Sequence, residues 1–180
     1  IKPSEVLEIF EKEKGKFYLK CFKRNINLLV WNEERQTGEP EEIIRQLWLY
    51  KLTKYYNYPI DRIAVEKEVS FGREIHEKAA DIVVYSQDKV TPGVILEVKS
   101  PDAKDGLEQV KSYLNAEGAP IGVLTNGIVK VILYTIHDFI LVLRQVINHD
   151  CWKIWMFRKY DFRQIQFYSI YFLIVFFKKW

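Results

Sequence analysis

The chain has 180 residues, a length typical of one domain, with 48% hydrophobic and 28% charged residues. This composition is typical of globular rather than disordered chains, and a domain of this size can bury roughly 68–70% of its unfolded surface. The formal net charge of +3 is too small to indicate a nucleic-acid partner by itself. Cys21 and Cys151 form no disulfide framework and no CxxC pair, and no secretory signal opens the sequence. We therefore expect a cytoplasmic protein.

Residues 1–36 form an N-terminal extension ahead of the main domain. Val6, Leu7 and Phe10 have helical spacing, and an alternating stretch follows around Phe17–Val30. Lysines and arginines are interleaved with aromatic residues here. Such a pattern either forms a solvated face or tracks a phosphate backbone, and the sequence leaves both alternatives open.

The next segment predicts an amphipathic helix from Pro40 to about Tyr56. Proline is favoured at the first helical position, and Glu41 and Glu42 suit the positive end of the helix dipole. Apolar residues then recur at intervals of three and four: Ile43, Ile44, Leu47, Trp48 and Leu52.

Three strand-like runs follow this helix, then a second helix and further strands. The runs are Ile63–Phe71, Ala80–Tyr85 and Val94–Lys99; the helix is Lys104–Ala116; the later strands are Pro120–Leu124, Ile128–Tyr134 and Phe139–Val146. Asn126-Gly127 between two apolar runs is a strong hairpin signal. This order of elements predicts an α/β or α+β domain around one sheet.

Charged residues end the most apolar of these strands. Glu97 and Lys99 are two residues apart and therefore point to the same face. A charge at the end of a buried strand costs several kcal/mol unless it is paired, metal-bound or hydrated. Asp81, in the preceding strand, is separated from Glu97 by fifteen residues, which suits a hairpin of two adjacent strands.

Two carboxylates and a lysine placed in this way fit phosphodiester hydrolysis. Adjacent strands lie about 4.8 Å apart, so both carboxylates can meet one cation. Mg²⁺ accepts one or two protein carboxylates, keeps waters and binds phosphate oxygens, and Mn²⁺ is an alternative. Lys99 would orient or help to deprotonate a water and offset developing negative charge. The alternative is an ordinary ion pair of Lys99 with Glu97 or Asp81.

The spacing from Asp81 to Glu97-Val98-Lys99 resembles the signature of the PD-(D/E)xK nuclease superfamily. Within it, the chain most resembles the N-terminal nuclease domain of type I restriction enzyme R subunits. The similar segments are residues 39–52, 63–72, 80–85, 95–101, 107–114 and 124–127. The resemblance implies a restriction-endonuclease-like core at residues 37–147, with a central mixed sheet and helices on both faces. It also implies a Mg²⁺-dependent endodeoxyribonuclease.

The resemblance also implies residue roles in the strands. Asp81 and Glu97 would be metal ligands, and the backbone carbonyl of Val98 would complete the set. Lys99 would be the catalytic lysine.

Three further site residues lie on the two helices. Gln109 and Tyr113 match a Q-x-x-x-Y element and share one helix face, opposite in tendency to the face of Leu107, Val110 and Leu114. Glu42 resembles the acidic residue that the first helix often supplies, and a role as a helix-dipole partner is the alternative. For Arg45 and Gln46, DNA contact and packing are equally open.

The resemblance implies double-stranded DNA as substrate and motor, specificity and methylation subunits as partners on other chains or segments. The sequence contains no GxxxxGK[ST] motif, so we expect no ATP-driven motor in these residues. A catalytically silent DNA- or partner-binding module on the same fold is the alternative function.

Residues 148–180 are rich in aromatic residues and are expected to pack on the core or on a partner. The apolar run at 165–177 includes Gln166 and Ser169 and is shorter than the ~20 residues needed to span a bilayer. A buried or partner-covered strand is the preferred interpretation, with membrane contact or a non-native end of the sequence as alternatives.

Overall fold

The computed structural model describes residues 3–69, 79–103, 106–136, 139–146, 152–158 and 161–165. Within these ranges the chain forms a four-stranded sheet, an eight-stranded sheet and three α-helices. The α+β fold predicted from the order of elements is confirmed.

The N-terminal residues form a small antiparallel sheet. Its strands, in spatial order, are β1 (Ile9–Glu13), β2 (Lys16–Lys20), β3 (Asn27–Asn32) and β4 (Thr37–Gly38), preceded by helix α1 (Pro3–Val6). The helical spacing predicted through Phe10 is wrong, because α1 ends at Val6 and Phe10 pairs with Tyr18 across β1 and β2. A helix of one turn has too few internal hydrogen bonds to compete with this strand pairing.

Helix α2 (Pro40–Lys54) begins at the predicted residue and ends two residues early. It packs against both sheets. Leu49 and Leu52 lie in a core cluster with residues of the large sheet, whereas Ile43 and Leu47 pack against a cluster of the small sheet. The helix therefore joins the N-terminal sheet to the main domain.

The large sheet contains the strands on which the predicted chemistry depends. They are β5 (Ile63–Glu68), β6 (Ala79–Tyr85), β7 (Pro92–Val98), β8 (Ile121–Thr125), β9 (Val129–Ile136), β10 (Phe139–Val146), β11 (Trp152–Arg158) and β12 (Asp161–Ile165), with helix α3 (Leu107–Glu117) between β7 and β8. The strands lie in the sheet in the same order as in the chain. Among the described strand pairs, only β7–β8 is parallel. The predicted mixed sheet is confirmed.

Helices cover the two faces of this sheet. Ile82 and Leu96 belong to the cluster that contains Leu49 of α2, whereas their neighbours Val83 and Ile95 belong to the cluster that contains Val110 of α3. Consecutive strand residues point to opposite faces, so α2 and α3 lie on opposite sides. Each fully buried Leu, Ile or Val contributes roughly 1.5–3 kcal/mol to holding this arrangement.

Helix α3 sits close to the sheet over Gly122 of β8. A Cβ at Gly122 would lie 2.6 Å from Val110 Cγ1 and 2.8 Å from Leu114 Cδ1. Only glycine admits this approach, which sets the height of α3 above β7 and β8.

The C-terminal region continues the sheet as far as Ile165. Strand β11 pairs with β10, and β12 pairs with β11. The strand predicted for 165–177 lies outside the described residues beyond Ile165. No helix in the described part of the chain is long and apolar enough to cross a membrane.

Candidate active site

Strands β6 and β7 place the two predicted acidic residues side by side. The strands are antiparallel, and Ile82 pairs with Leu96, one step before Asp81 and Glu97. Asp81 Oδ2 accepts a hydrogen bond of 2.7 Å from the backbone N–H of Val98. The predicted adjacency of the two strands is therefore confirmed.

Lys99 follows β7 and turns back to the same site. Its Nζ lies 2.8 Å from Glu97 Oε1 and donates a 2.9 Å hydrogen bond to Gln109 Oε1 of α3. Burial acts to lower the Lys99 pKa, but Glu97 and Asp81 outweigh it and raise the pKa above its ordinary value. The ammonium form is thus the one that this site stabilises.

Gly106 leaves room for the Lys99 side chain. Its φ is +118°, and a Cβ there would lie 2.9 Å from Leu124 Cδ1 and 3.1 Å from Lys99 Cε. The start of α3 can pass this close to Lys99 because the residue has no side chain.

Tyr113 supports Gln109 from inside the core. Gln109 Nε2 donates a 2.6 Å hydrogen bond to Tyr113 Oη, and that hydroxyl donates to the Ala79 carbonyl at 3.3 Å. The Tyr113 ring is fully buried and shares a cluster with Val110 and Leu114. The predicted placement of Tyr113 opposite those residues is therefore wrong: the ring is long enough to fill the core while its hydroxyl reaches the site.

Glu97 is the least compensated charge of the site. Its side chain is 3% exposed, and Oε2 has no hydrogen-bond partner among the described residues. Burial, followed by repulsion from Asp81, raises the pKa of Glu97 to about 7, although Lys99 opposes the shift. A carboxylate in this environment is stabilised by a proton or by a cation.

Arg45 of α2 is the main partner of Asp81. Its Nε and Nη2 donate to Asp81 Oδ1 at 3.1 and 2.6 Å, and its side chain is 10% exposed. Burial acts to lower the Arg45 pKa, but the charges of Asp81 and Glu42 raise it. DNA contact and packing were equally open for Arg45 in the sequence. The sequence feature that could have revealed a buried ion pair at Arg45 is its position four residues before the buried Leu49. A cation on the buried face of a helix needs an anion nearby.

Two further glutamates surround the same guanidinium. Arg45 Nη1 donates to Glu42 and to Glu66 Oε1, the latter at 2.9 Å. The second Glu42 oxygen accepts a 2.7 Å hydrogen bond from Gln46, which is fully buried. The structure thus brings Glu42 to Asp81 through Arg45.

The neighbouring acid of α2 contacts the end of β7 instead. Glu41 Oε1 accepts a 2.7 Å hydrogen bond from the backbone N–H of Ser100. Sequence reasoning assigned Glu41 only to the helix dipole, and no local pattern marks this contact across 59 positions.

The residues present fit Mg²⁺ held by two carboxylates and waters. Glu97 Oε2 is free of protein partners among the described residues, and Asp81 Oδ2 accepts one N–H, which leaves a second lone pair. Among the residues that the structure describes, no group of three or more His, Cys, Asp and Glu side chains forms a metal cluster. Mg²⁺ commonly binds through one or two carboxylates and keeps its waters, so a pair of carboxylates is compatible with this ion. The predicted Val98 carbonyl ligand stays a prediction.

The large mixed sheet has helices on both faces, with Asp81 on β6 and Glu97 and Lys99 at the end of β7. These features define an α+β domain with a restriction-endonuclease-like order of elements. Residues 40–138, more than half of the chain, match the family model described as Type I restriction enzyme R protein N terminus (HSDR_N). The chain belongs to this family, which places it in a type I restriction-modification context. Searches of curated proteins and of solved structures returned no match.

Proposed function

We propose that this chain is a Mg²⁺-dependent endonuclease domain that hydrolyses DNA phosphodiester bonds in a type I restriction system. The observation that carries the proposal is the pair of carboxylates on β6 and β7, in which Glu97 Oε2 is buried beside Lys99 and has no hydrogen-bond partner among the described residues. The family match supports the restriction context.

Each residue of the pair and its neighbours has a role in this proposal. Asp81, Glu97 and the Val98 carbonyl would hold Mg²⁺, which supplies Lewis-acid chemistry at the phosphate when it is bound. Lys99, held by Glu97 and Gln109, orients the attacking water and donates to the oxygen on which negative charge develops. Tyr113 fixes Gln109 and so fixes Lys99.

The proposed substrate is double-stranded DNA, and the proposed partners are the motor, specificity and methylation components of such a system. The 180 residues contain no GxxxxGK[ST] loop, so we assign translocation to other segments or chains.

A plasmid-cleavage assay with Mg²⁺, Mn²⁺ and EDTA tests the proposal. We expect metal-dependent nicking that is lost in Asp81→Asn, Glu97→Gln and Lys99→Met. An ion pair remote from the site supplies matched controls: Asp61 and Lys89 contact each other at 2.5 Å and are exposed. Asp61→Asn and Lys89→Met should therefore retain activity, and full activity of Lys99→Met would remove the proposed mechanism.

A catalytically silent DNA- or partner-binding module is a second candidate, favoured by one observation. Arg45 donates twice to Asp81 Oδ1, so half of the acidic pair is already neutralised by protein. DNA binding that does not depend on metal, without nicking, would support this candidate.

A further inference from the structure

A line of alternating charges connects the small N-terminal sheet to Asp81. Arg24, in the segment between β2 and β3, forms an ion pair with Glu66 of β5. Glu66 Oε1 accepts the hydrogen bond from Arg45 Nη1, and Arg45 in turn binds Asp81. Arg24 lies outside the segment that matches the family model, whereas the other three residues lie inside it.

The two nitrogens that Arg45 directs at Asp81 determine which Asp81 oxygen stays available to a metal ion. Two of its nitrogens occupy Oδ1, and Oδ2 is left with the Val98 N–H as its single protein donor in the described residues. The guanidinium is planar and rigid, so a partner that holds Nη1 also fixes the direction of Nε and Nη2. Glu66 is such a partner, and its position affects the orientation of the Asp81 carboxylate.

Glu66 needs a second contact to hold this position. Its side chain is 46% exposed, and an exposed carboxylate is held only weakly by one ion pair. Its φ of +54° is uncommon for a residue other than glycine, and such a conformation persists where surrounding contacts impose it. Arg24, which belongs to the N-terminal sheet region, donates to the second Glu66 oxygen and so restricts the orientation of that carboxylate.

We propose that the N-terminal sheet sets the orientation of Asp81 for metal binding through Arg24, Glu66 and Arg45, which act as positioning residues. This inference rests on the proposed function, because it concerns the same metal site. It adds that residues outside the family-matched segment tune that site.

The test is calorimetric titration of the full chain with Mn²⁺. We expect Arg45→Lys, which keeps the positive charge beside Asp81 but loses the planar guanidinium, to weaken Mn²⁺ binding by roughly 10- to 100-fold, the range typical of residues that orient a metal ligand. Arg24→Met should weaken it by roughly 2- to 10-fold, because Arg45 keeps its direct contact with Asp81. The double variant should bind as weakly as Arg45→Lys alone, because Arg24 acts through Arg45.

Lys23→Met is the matched control. It removes the same charge from the adjacent position, but Lys23 Nζ donates to the Ile60 carbonyl at 2.8 Å and does not join the line of charges. Its Mn²⁺ affinity should equal that of the unchanged chain. Circular dichroism checks that each variant folds, and the comparison of Arg24→Met with Lys23→Met keeps the test decisive if Arg45→Lys does not fold.

Two kinds of failure are distinguishable. If the unchanged chain binds no Mn²⁺, or if Asp81→Asn leaves binding unaltered, both the proposed metal site and the positioning role are overturned. If Asp81→Asn abolishes binding but Arg24→Met behaves like Lys23→Met, or adds its full effect to Arg45→Lys, only the positioning role is overturned.

Discussion

The two carboxylates of the site lie on neighbouring strands but have opposite surroundings. Asp81 accepts two hydrogen bonds from Arg45 and one from the Val98 N–H. Glu97 is more deeply buried, and its described hydrogen bond is from Lys99 to one of its two oxygens. The charge of Asp81 is therefore largely balanced by Arg45, whereas Glu97 has less compensating positive charge among the described residues.

This difference indicates that the two helices have different roles at the site. Arg45 on α2 neutralises and orients one acid, and Gln109 on α3 holds the lysine that serves the other. A bound cation would relieve Glu97 most, because burial and repulsion from Asp81 both disfavour its charge. The predictions below test the two sides separately.

The largest expected effect concerns the Glu97 side. Lys99→Met should reduce the rate of metal-dependent plasmid cleavage by roughly 10²–10³-fold, because it removes a preorganised donor to the developing charge. Nicking rates at saturating Mg²⁺ measure the effect. The exposed Lys89→Met loses the same charge and should cleave normally.

Next in size is the contrast in stability between the two acids without metal. Asp81→Asn leaves the largely buried Arg45 without its main anion and should lower the free energy of unfolding by about 3 kcal/mol. Glu97→Gln removes an under-compensated buried charge and should not lower stability at about pH 8, where Glu97 is ionised. Urea unfolding in EDTA compares them, and equal losses would contradict the proposed asymmetry.

A smaller effect is expected in the pH dependence of stability. The pKa of folded Glu97 is about 7, above the ordinary glutamate value of 4.5, so the folded chain binds the proton more tightly than the unfolded chain. The Glu97 contribution to stability is fully present below about pH 4.5 and is lost as the pH rises through about 7. The loss is at most about 3 kcal/mol. Melting temperatures in EDTA should show this fall in the unchanged chain and a flatter profile in Glu97→Gln; parallel profiles would contradict it.

The smallest effect is expected from Tyr113→Phe, which keeps the buried ring and removes the hydroxyl that accepts from Gln109. We expect a loss of about 1 kcal/mol in the free energy of unfolding and a reduction of a few fold in cleavage, since Lys99 loses only indirect support. Tyr56→Phe is the control, because Tyr56 is exposed and its ring lies near Lys51. An unchanged cleavage rate in Tyr113→Phe would show that Gln109 does not need this support.

The best-predicted elements are those with strong local signals. Pro40 marks the start of α2, and the apolar runs of β6, β7 and β10 give strand limits within two residues of those observed. The predicted extension of the first helix to Phe10 is wrong, because three spaced apolar residues carry little information about where a short helix ends. Periodicity and turn residues act within a few positions, so a single sequence reports them directly.

The sequence by itself determined the α+β order of elements and the neighbouring placement of Asp81, Glu97 and Lys99, because strand period and hairpin spacing are local properties. Only the tertiary structure decided that Arg45 neutralises Asp81, that Tyr113 is buried beneath Gln109, and that Arg24 reaches Glu66. Arg45 and Asp81 are 36 positions apart, and Arg24 and Glu66 are 42 positions apart. The Tyr113 hydroxyl contacts the Ala79 carbonyl across 34 positions. They exist only because α2, α3 and the small sheet are packed against the large one, and no local pattern encodes that packing.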